Sequence, residues 1–211
     1  MATAFRWGLI ALLVVIVGVV PLVWYRSVYT HGKRLRDVVP GQVYRSGQMT
    51  AVGFKDAVKR LGIRTIINLQ NDFPDPDIRR SFWDSSTIKE SDLCRQLGVR
   101  YVLIEPDLVS RQLVSQGRGR PGAIDQFLRI MDDPSVYPVL IHCRAGLHRT
   151  GVLSAVYRME YQGWTNAEAF RELKAHGFGD RDCTAANDYV KQYVLTYRPR
   201  QSRNAPLSPK G

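Results

Sequence analysis

Apolar and polar positions divide the chain into unlike stretches. From Trp7 to Tyr25 it reads WGLIALLVVIVGVVPLVWY, with no charge across 19 positions. That is about the length a helix needs to cross the apolar core of a bilayer. Aromatic residues stand at both ends (Phe5 and Trp7, then Trp24 and Tyr25), where amphipathic rings favour the headgroup level. Residues 1–6 form a short tip before this candidate transmembrane anchor, 7–25. Residues 26–41 are polar and basic and end in Pro40-Gly41, the pattern of a tether. From 42 to 198, β-branched runs alternate with helical periodicity, and this is the expected folded domain. Residues 199–211 hold three prolines, three basic residues and no acid, which predicts a disordered tail.

Within the domain, Val43-Tyr44-Arg45 predicts a short strand. Thr50 to Leu61 has helical periodicity and stops at Gly62. Ile63 to Leu69 is apolar and β-branched, the mark of a buried strand. Residues 71–84 form an acidic, proline-broken loop. Thr87 and Glu90 have capping-box spacing for a helix ending at Gly98. Val99 to Ile104 predicts another strand, and 111–122 is a loop with three arginines and three glycines. Pro121 opens a helix to Met131. Val139 to His142 is a strand, Thr150 to Gln162 a helix, and Thr165 with Glu168 caps the next one. A last helix is expected over 183–197. Strands separated by helices predict an α/β fold, a mainly parallel central sheet flanked by helices. In such sheets ligands bind beyond the carboxyl ends of the strands.

Composition narrows the classes. Of 211 residues, 45% are hydrophobic and 23% charged, which excludes a disordered or low-complexity chain. Three cysteines (Cys94, Cys143, Cys183) without a CxxC pair argue against a disulfide scaffold or a structural zinc site. Lys and Arg total 30 against 19 Asp and Glu, a net charge of +11. That balance favours anionic partners: phosphate esters, acidic membranes or nucleic acid. The charge is split among tether, loop and tail, with no basic helix stripe or aromatic ladder, so nucleic acid is the weakest of the three. A cleaved signal peptide fits less well than an anchor, because only Arg6 precedes the apolar run and no small-x-small site follows it. Arg26, Lys33, Arg34 and Arg36 lie after the segment, and the positive-inside rule then places the domain in the cytoplasm. The same residues suit acidic headgroups.

One stretch carries most of the chemistry. Val139-Leu-Ile-His-Cys-Arg-Ala-Gly-Leu-His-Arg-Thr-Gly151 runs from a strand through a tight loop into a helix. Cys143 stands at the carboxyl end of the strand, ahead of backbone amides and a helix N-terminus that favour anions. Such surroundings can lower a thiol pKa to roughly 3.5–7.5. Arg149 adds a two-pronged cation suited to phosphate oxygens. Five residues between Cys143 and Arg149 let the loop encircle a tetrahedral dianion. Gly146 permits a turn that a side chain would obstruct. Thr150 can place a hydroxyl near the sulfur, and His142 is expected to orient the loop by bonding to backbone. Buried structural thiols are common, and Cys94, at an apolar helical position, is read as one. Cys183 is read as packing too.

HCRAGLHRTG resembles the signature of the cysteine-dependent protein tyrosine and dual-specificity phosphatases. Val43-Tyr-Arg-Ser-Gly-Gln48 and Ile63 to Leu69 resemble the opening of their atypical branch in plants, fungi and bacteria. The resemblance covers about residues 42–197. It implies attack by Cys143 on phosphorus, a phosphocysteine intermediate, and its hydrolysis by water. The amides of Arg144, Ala145, Gly146, Leu147, His148 and Arg149 then hold the phosphoryl oxygens. It implies that Arg144 and His148 point out of the loop to read the rest of the substrate, and that no metal or organic cofactor is required. Its substrates are phosphorylated proteins or inositol phosphates and pyrophosphates.

The resemblance also implies an aspartic general acid on a loop before the cysteine. Asp107 follows the strand Val99–Ile104 and lies 36 residues before Cys143. It falls at the correct end of the sheet if that strand is parallel to Val139–His142. Asp72, Asp75 and Asp77 are rivals, whereas Asp132 and Asp133 fall at the opposite end and Asp125 within a helix. Two other functions compete. A rhodanese-type sulfurtransferase also cradles a cysteine in loop amides, but the His-Cys start and Arg-Thr-Gly end differ from it. A non-catalytic phosphate-binding module would not need both Cys143 and Arg149.

Overall fold

Along the central strands, odd and even positions feed two separate cores, and the sheet is the partition between them. The computed structural model describes residues 2–75, 78, 86–104, 120–179 and 188–200. Five strands stand in the order β1-β2-β5-β3-β4: β1 (Arg36–Val39), β2 (Val43–Ser46), β3 (Thr65–Asn68), β4 (Arg100–Leu103) and β5 (Val139–His142). The pairs β2–β5, β5–β3 and β3–β4 are parallel, and β1 alone is antiparallel.

Among the described residues, the α-helices of the domain are α1 (Ala51–Leu61), α2 (Glu90–Leu97), α3 (Gly122–Met131), α4 (Arg149–Tyr161), α5 (Asn166–Ala175) and α6 (Asp188–Thr196). Val43, Ile67, Val139 and Ile141 pack with residues of α3, α4, α5 and α6. Tyr44, Ile66 and Leu140 pack on the other face with α1 and α2. The wholly buried strands β3 and β5 lie between helices on both sides, which is why they read as unbroken apolar runs. α4 is buried on nearly every side, from Thr150 to Tyr157, so it shows little amphipathic pattern.

Before the domain, helix runs continuously through Ala2–Val14, Val15–Val19, Val20–Arg26 and Ser27–His31. Its segment Phe5–Arg26 is long and apolar enough to cross a membrane, and none of it is buried against the domain.

Two local expectations change. The basic stretch 26–41, read as a tether, carries β1: Arg36 and Asp37 are exposed, Val38 is buried in the core, and the strand pairs with β2 at the sheet edge. Thr87 does not cap α2, which begins at Glu90 after Lys89. Asp72 caps it instead: its carboxylate accepts from the Ser91 amide (3.1 Å) and hydroxyl (2.6 Å). The box at Thr165 and Glu168 forms in full. Cys94 is buried, and burial pushes its thiol well up, the mark of an inert core group. Cys183 and the tail after Arg200 lie outside the described residues.

Candidate active site

The site is a loop whose carbonyls are pulled outward. The Arg144 carbonyl accepts from the Gln48 amide at 3.1 Å. The Ala145 carbonyl accepts from the Arg34 guanidinium at 2.9 Å, and the Gly146 carbonyl from that of Arg45 at 2.8 Å. In a trans peptide the next N–H points opposite to the carbonyl. The amides of Ala145, Gly146 and Leu147 therefore turn inward. The Gly146 amide donates to Cys143 Sγ at 3.3 Å.

Close packing explains the glycine. Gly146 has φ +71°, and a Cβ there would stand 2.6 Å from the Ser46 carbonyl carbon and the Gly47 nitrogen. Only a residue without a side chain lets the loop rest on the end of β2.

Cys143 follows β5 and is buried. Arg149 opens α4, where the first amides have no carbonyl partner inside the helix. Its guanidinium is held at the end of β3 by the Leu69 carbonyl (2.8 Å). One donor is used there, and the rest of the fork is left for an anion.

Below the loop lies a buried polar chain. His142 Nε2 contacts Glu90 Oε1 at 2.7 Å, with both side chains inaccessible. The other Glu90 oxygen accepts from Gln48 (3.1 Å), and Gln48 accepts from Gln70. His142 thus orients the loop through a carboxylate and not through backbone. A carboxylate on Nε2 selects the tautomer in which that nitrogen is the donor. Among the described residues, four of the five buried side-chain polar atoms without a hydrogen-bond partner belong to Ser46, His142, His148 and Thr150, all at this loop. Unsatisfied groups are rare in folded interiors, so their concentration here marks a functional site.

Arg45 is a buried cation behind the loop. It is 2% exposed and also meets His176 Nδ1 at 3.0 Å. Burial lowers its pKa to about 10, opposed by Glu172, so it remains charged at neutral pH. His176 is pushed down to about 4, by burial first and by Arg45 next, and so accepts as a neutral imidazole. Burial, reinforced by Arg149, also lowers His148.

Cys143, Arg144, Ala145, Gly146, Leu147, His148, Arg149 and Thr150 share one loop and helix start, and Arg144 faces solvent. His148 departs from the outward position expected for it: it is half-buried, edge-on to Phe178 at 5.9 Å. The Thr150 hydroxyl is buried and unpartnered. Asp107 and Asp77 lie outside the described residues. Asp72 is occupied in capping α2. Asp132 and Asp133 sit before β5, at the opposite end of the sheet, bound to Arg200 and Arg100 respectively. Asp125, in the first turn of α3, faces Arg120. Sequence reasoning missed Arg34, Arg45, Gln48 and Glu90 as loop supports. Its one available signal was an arginine inside an otherwise apolar strand. Among the described residues, no three His, Cys, Asp or Glu side chains gather as a metal site.

Residues 34–209 match the Tyrosine phosphatase family. The chain belongs to that family. The dual specificity protein phosphatase TpbA of Pseudomonas aeruginosa is 49% identical over 55 residues, 26% of this chain and 25% of that protein. The match thus spans a quarter of that relative's length. The inositol diphosphatase DSP3 of Arabidopsis thaliana is 28% identical over 138 residues, 65% of this chain and 60% of DSP3. The catalytic core of the PP-IP phosphatase SIW14 from S. cerevisiae, solved with citrate, superposes with a TM-score of 0.56 at 21% identity. That match covers 78% of this chain and 85% of the core. At that identity the likeness is one of fold.

Proposed function

We propose that this chain is a cysteine-dependent phosphatase that hydrolyses phosphate monoesters of a phosphorylated protein or an inositol phosphate. The observation that carries the reading is the Gly146 amide on Cys143 Sγ, with three successive loop carbonyls held away from it. The loop offers inward donors and a sulfur to one tetrahedral anion. Cys143 Sγ attacks phosphorus, and an S–P bond forms as the P–O bond to the leaving oxygen breaks. Asp107 is proposed to protonate that oxygen. Water then attacks the phosphocysteine, gives a proton to Asp107, and releases phosphate and the sulfur. Thr150 donates to the departing sulfur, and Arg149 holds the equatorial oxygens. No metal or organic cofactor enters this scheme. Loss of aryl phosphate turnover in Cys143→Ser with substrate affinity retained supports the nucleophile; turnover in that variant refutes it. Asp107→Asn should slow alkyl phosphates far more than activated aryl phosphates, and equal slowing removes its role.

The second element is location. Phe5–Arg26 is read as a single membrane span, with the anchor proper over 7–25 and the domain over 42–198 in the cytoplasm. The length and mean hydropathy of 2.6 support the span, and the following basic residues support the side. A C-terminal alkaline phosphatase fusion should be silent; a strongly active fusion places the domain outside.

A further inference from the structure

The antiparallel course of β1 decides where the N-terminal helix meets the domain. Arg36 pairs with Arg45, and the next residue of β2, Ser46, pairs with His142. The chain therefore enters the sheet at the carboxyl ends of its parallel strands, the end that bears Cys143. Helix continues from Arg26 through His31. Five further residues extend roughly 8 Å at helical rise. A headgroup layer is about 5–8 Å deep on each side of the apolar core. Residues 27–31 thus lie at headgroup depth if Phe5–Arg26 spans.

At that level a cavity of about 600 Å³ lies between the helix end and the back of the phosphate loop. Arg34, Arg36, Arg60, Tyr29, Leu147 and His176 are among the residues on its walls, and among the described residues no carboxylate lines it. Among the described residues, no Asp or Glu forms a salt bridge with Arg36 or Arg60. The nearest acid in the adjoining depression, Asp56, is engaged by His31 at 2.9 Å. His176 adds no charge, since its Nδ1 accepts from Arg45. The cavity is thus a cationic recess beside the loop, whose Arg34 also grips the Ala145 carbonyl.

We propose that this recess binds the phosphate of an acidic phospholipid headgroup and seats the catalytic end of the domain on the bilayer. The proposal rests on the reading of Phe5–Arg26 as a membrane span. Arg36 and Arg60 supply the free charge, and Arg34 links the occupied recess to the loop.

The test uses the full chain in nanodiscs of phosphatidylcholine containing a minor fraction of phosphatidylinositol 4-phosphate. Native mass spectrometry of the released protein reads which lipids stay bound. The acidic lipid should be retained roughly tenfold above its bulk fraction, in line with the attraction of basic residues to an anionic surface. The double variant Arg36→Gln, Arg60→Gln should lose that enrichment while hydrolysing a soluble aryl phosphate at the wild-type rate. Enrichment absent from wild type, or equal in the variant, overturns the proposal. A second arm offers soluble glycerophosphate to the chain in nanodiscs of phosphatidylcholine alone. Binding there that depends on Arg36 and Arg60 and equals the lipid's moves the anion from bilayer to solution and overturns the lipid assignment; no such binding supports it. A chain that does not enter nanodiscs fails the span and this proposal together. A chain that enters them without enrichment fails this proposal alone.

Discussion

The Arg45 guanidinium and the Gly146 carbonyl lie 2.8 Å apart although 101 residues separate them in the chain. The contact places a buried cation behind the loop and fixes the direction of the next amide. Its partner on the far side, His176, holds the second arm of the fork. A point charge cannot span both.

Arg45→Met should therefore slow turnover more than it weakens binding. Hydrogen bonds to charged groups are worth about 1.5–3 kcal/mol, which corresponds to roughly 10- to 100-fold in kcat/KM. Arg45→Lys should fall between wild type and Met. Steady-state kinetics on an aryl phosphate decide this; unchanged kcat in Arg45→Met contradicts the positioning role.

His176 gives a pH dependence of stability. In an unfolded chain the imidazole titrates near 6.5, and in the folded protein burial and Arg45 push it to about 4. Between those values the unfolded chain binds more protons. This contribution to stability is complete above about pH 6.5 and is lost as pH falls toward 4. His176→Asn keeps an acceptor for Arg45 but does not titrate. Its Tm should fall less steeply across that window, and parallel curves contradict the assignment.

Glu90 joins the loop to α2 through His142 and Gln48. Glu90→Leu strands two buried donors, each at about 1–3 kcal/mol. Urea unfolding should show a loss of that order, with Glu90→Gln milder. A neutral Glu90→Leu would mean that the chain of contacts below the loop is dispensable.

The two glycines of the motif should respond differently to alanine. At Gly146 the new Cβ meets backbone at 2.6 Å and the φ is +71°, so the loop must distort. A displacement of that kind can cost on the order of a hundredfold in rate. At Gly151 it meets the Leu173 side-chain tip at 2.3 Å. That tip can move, so the cost is overpacking, about 1–3 kcal/mol of stability, with activity kept within a few-fold. Kinetics and thermal melts of the pair distinguish them.

Much of this is local and so is legible in sequence. β3 and β5 are unbroken apolar runs because helices cover both faces, and the Cys143–Gly151 stretch holds its own loop and helix start. Thr165 and Glu168 cap α5 with neighbours three positions apart. The supports of the loop are a different matter. Arg34, Arg45 and Glu90 reach it across 111, 101 and 52 residues, and no periodicity encodes such a contact. Glu90 carries the spacing of a capping residue yet spends its carboxylate on His142. β1 hides in a basic stretch because an edge strand needs few apolar residues on its open side.

The central claim is that phosphorus passes through Cys143. Rapid acid quench of the full chain with a 32P-labelled aryl phosphate, followed by peptide mapping, tests it most directly. During turnover the label should appear on the Cys143 peptide as an acid-stable thiophosphate ester, and Cys143→Ser should show neither label nor turnover. Sustained hydrolysis with no label on that peptide, or in the serine variant, contradicts the account.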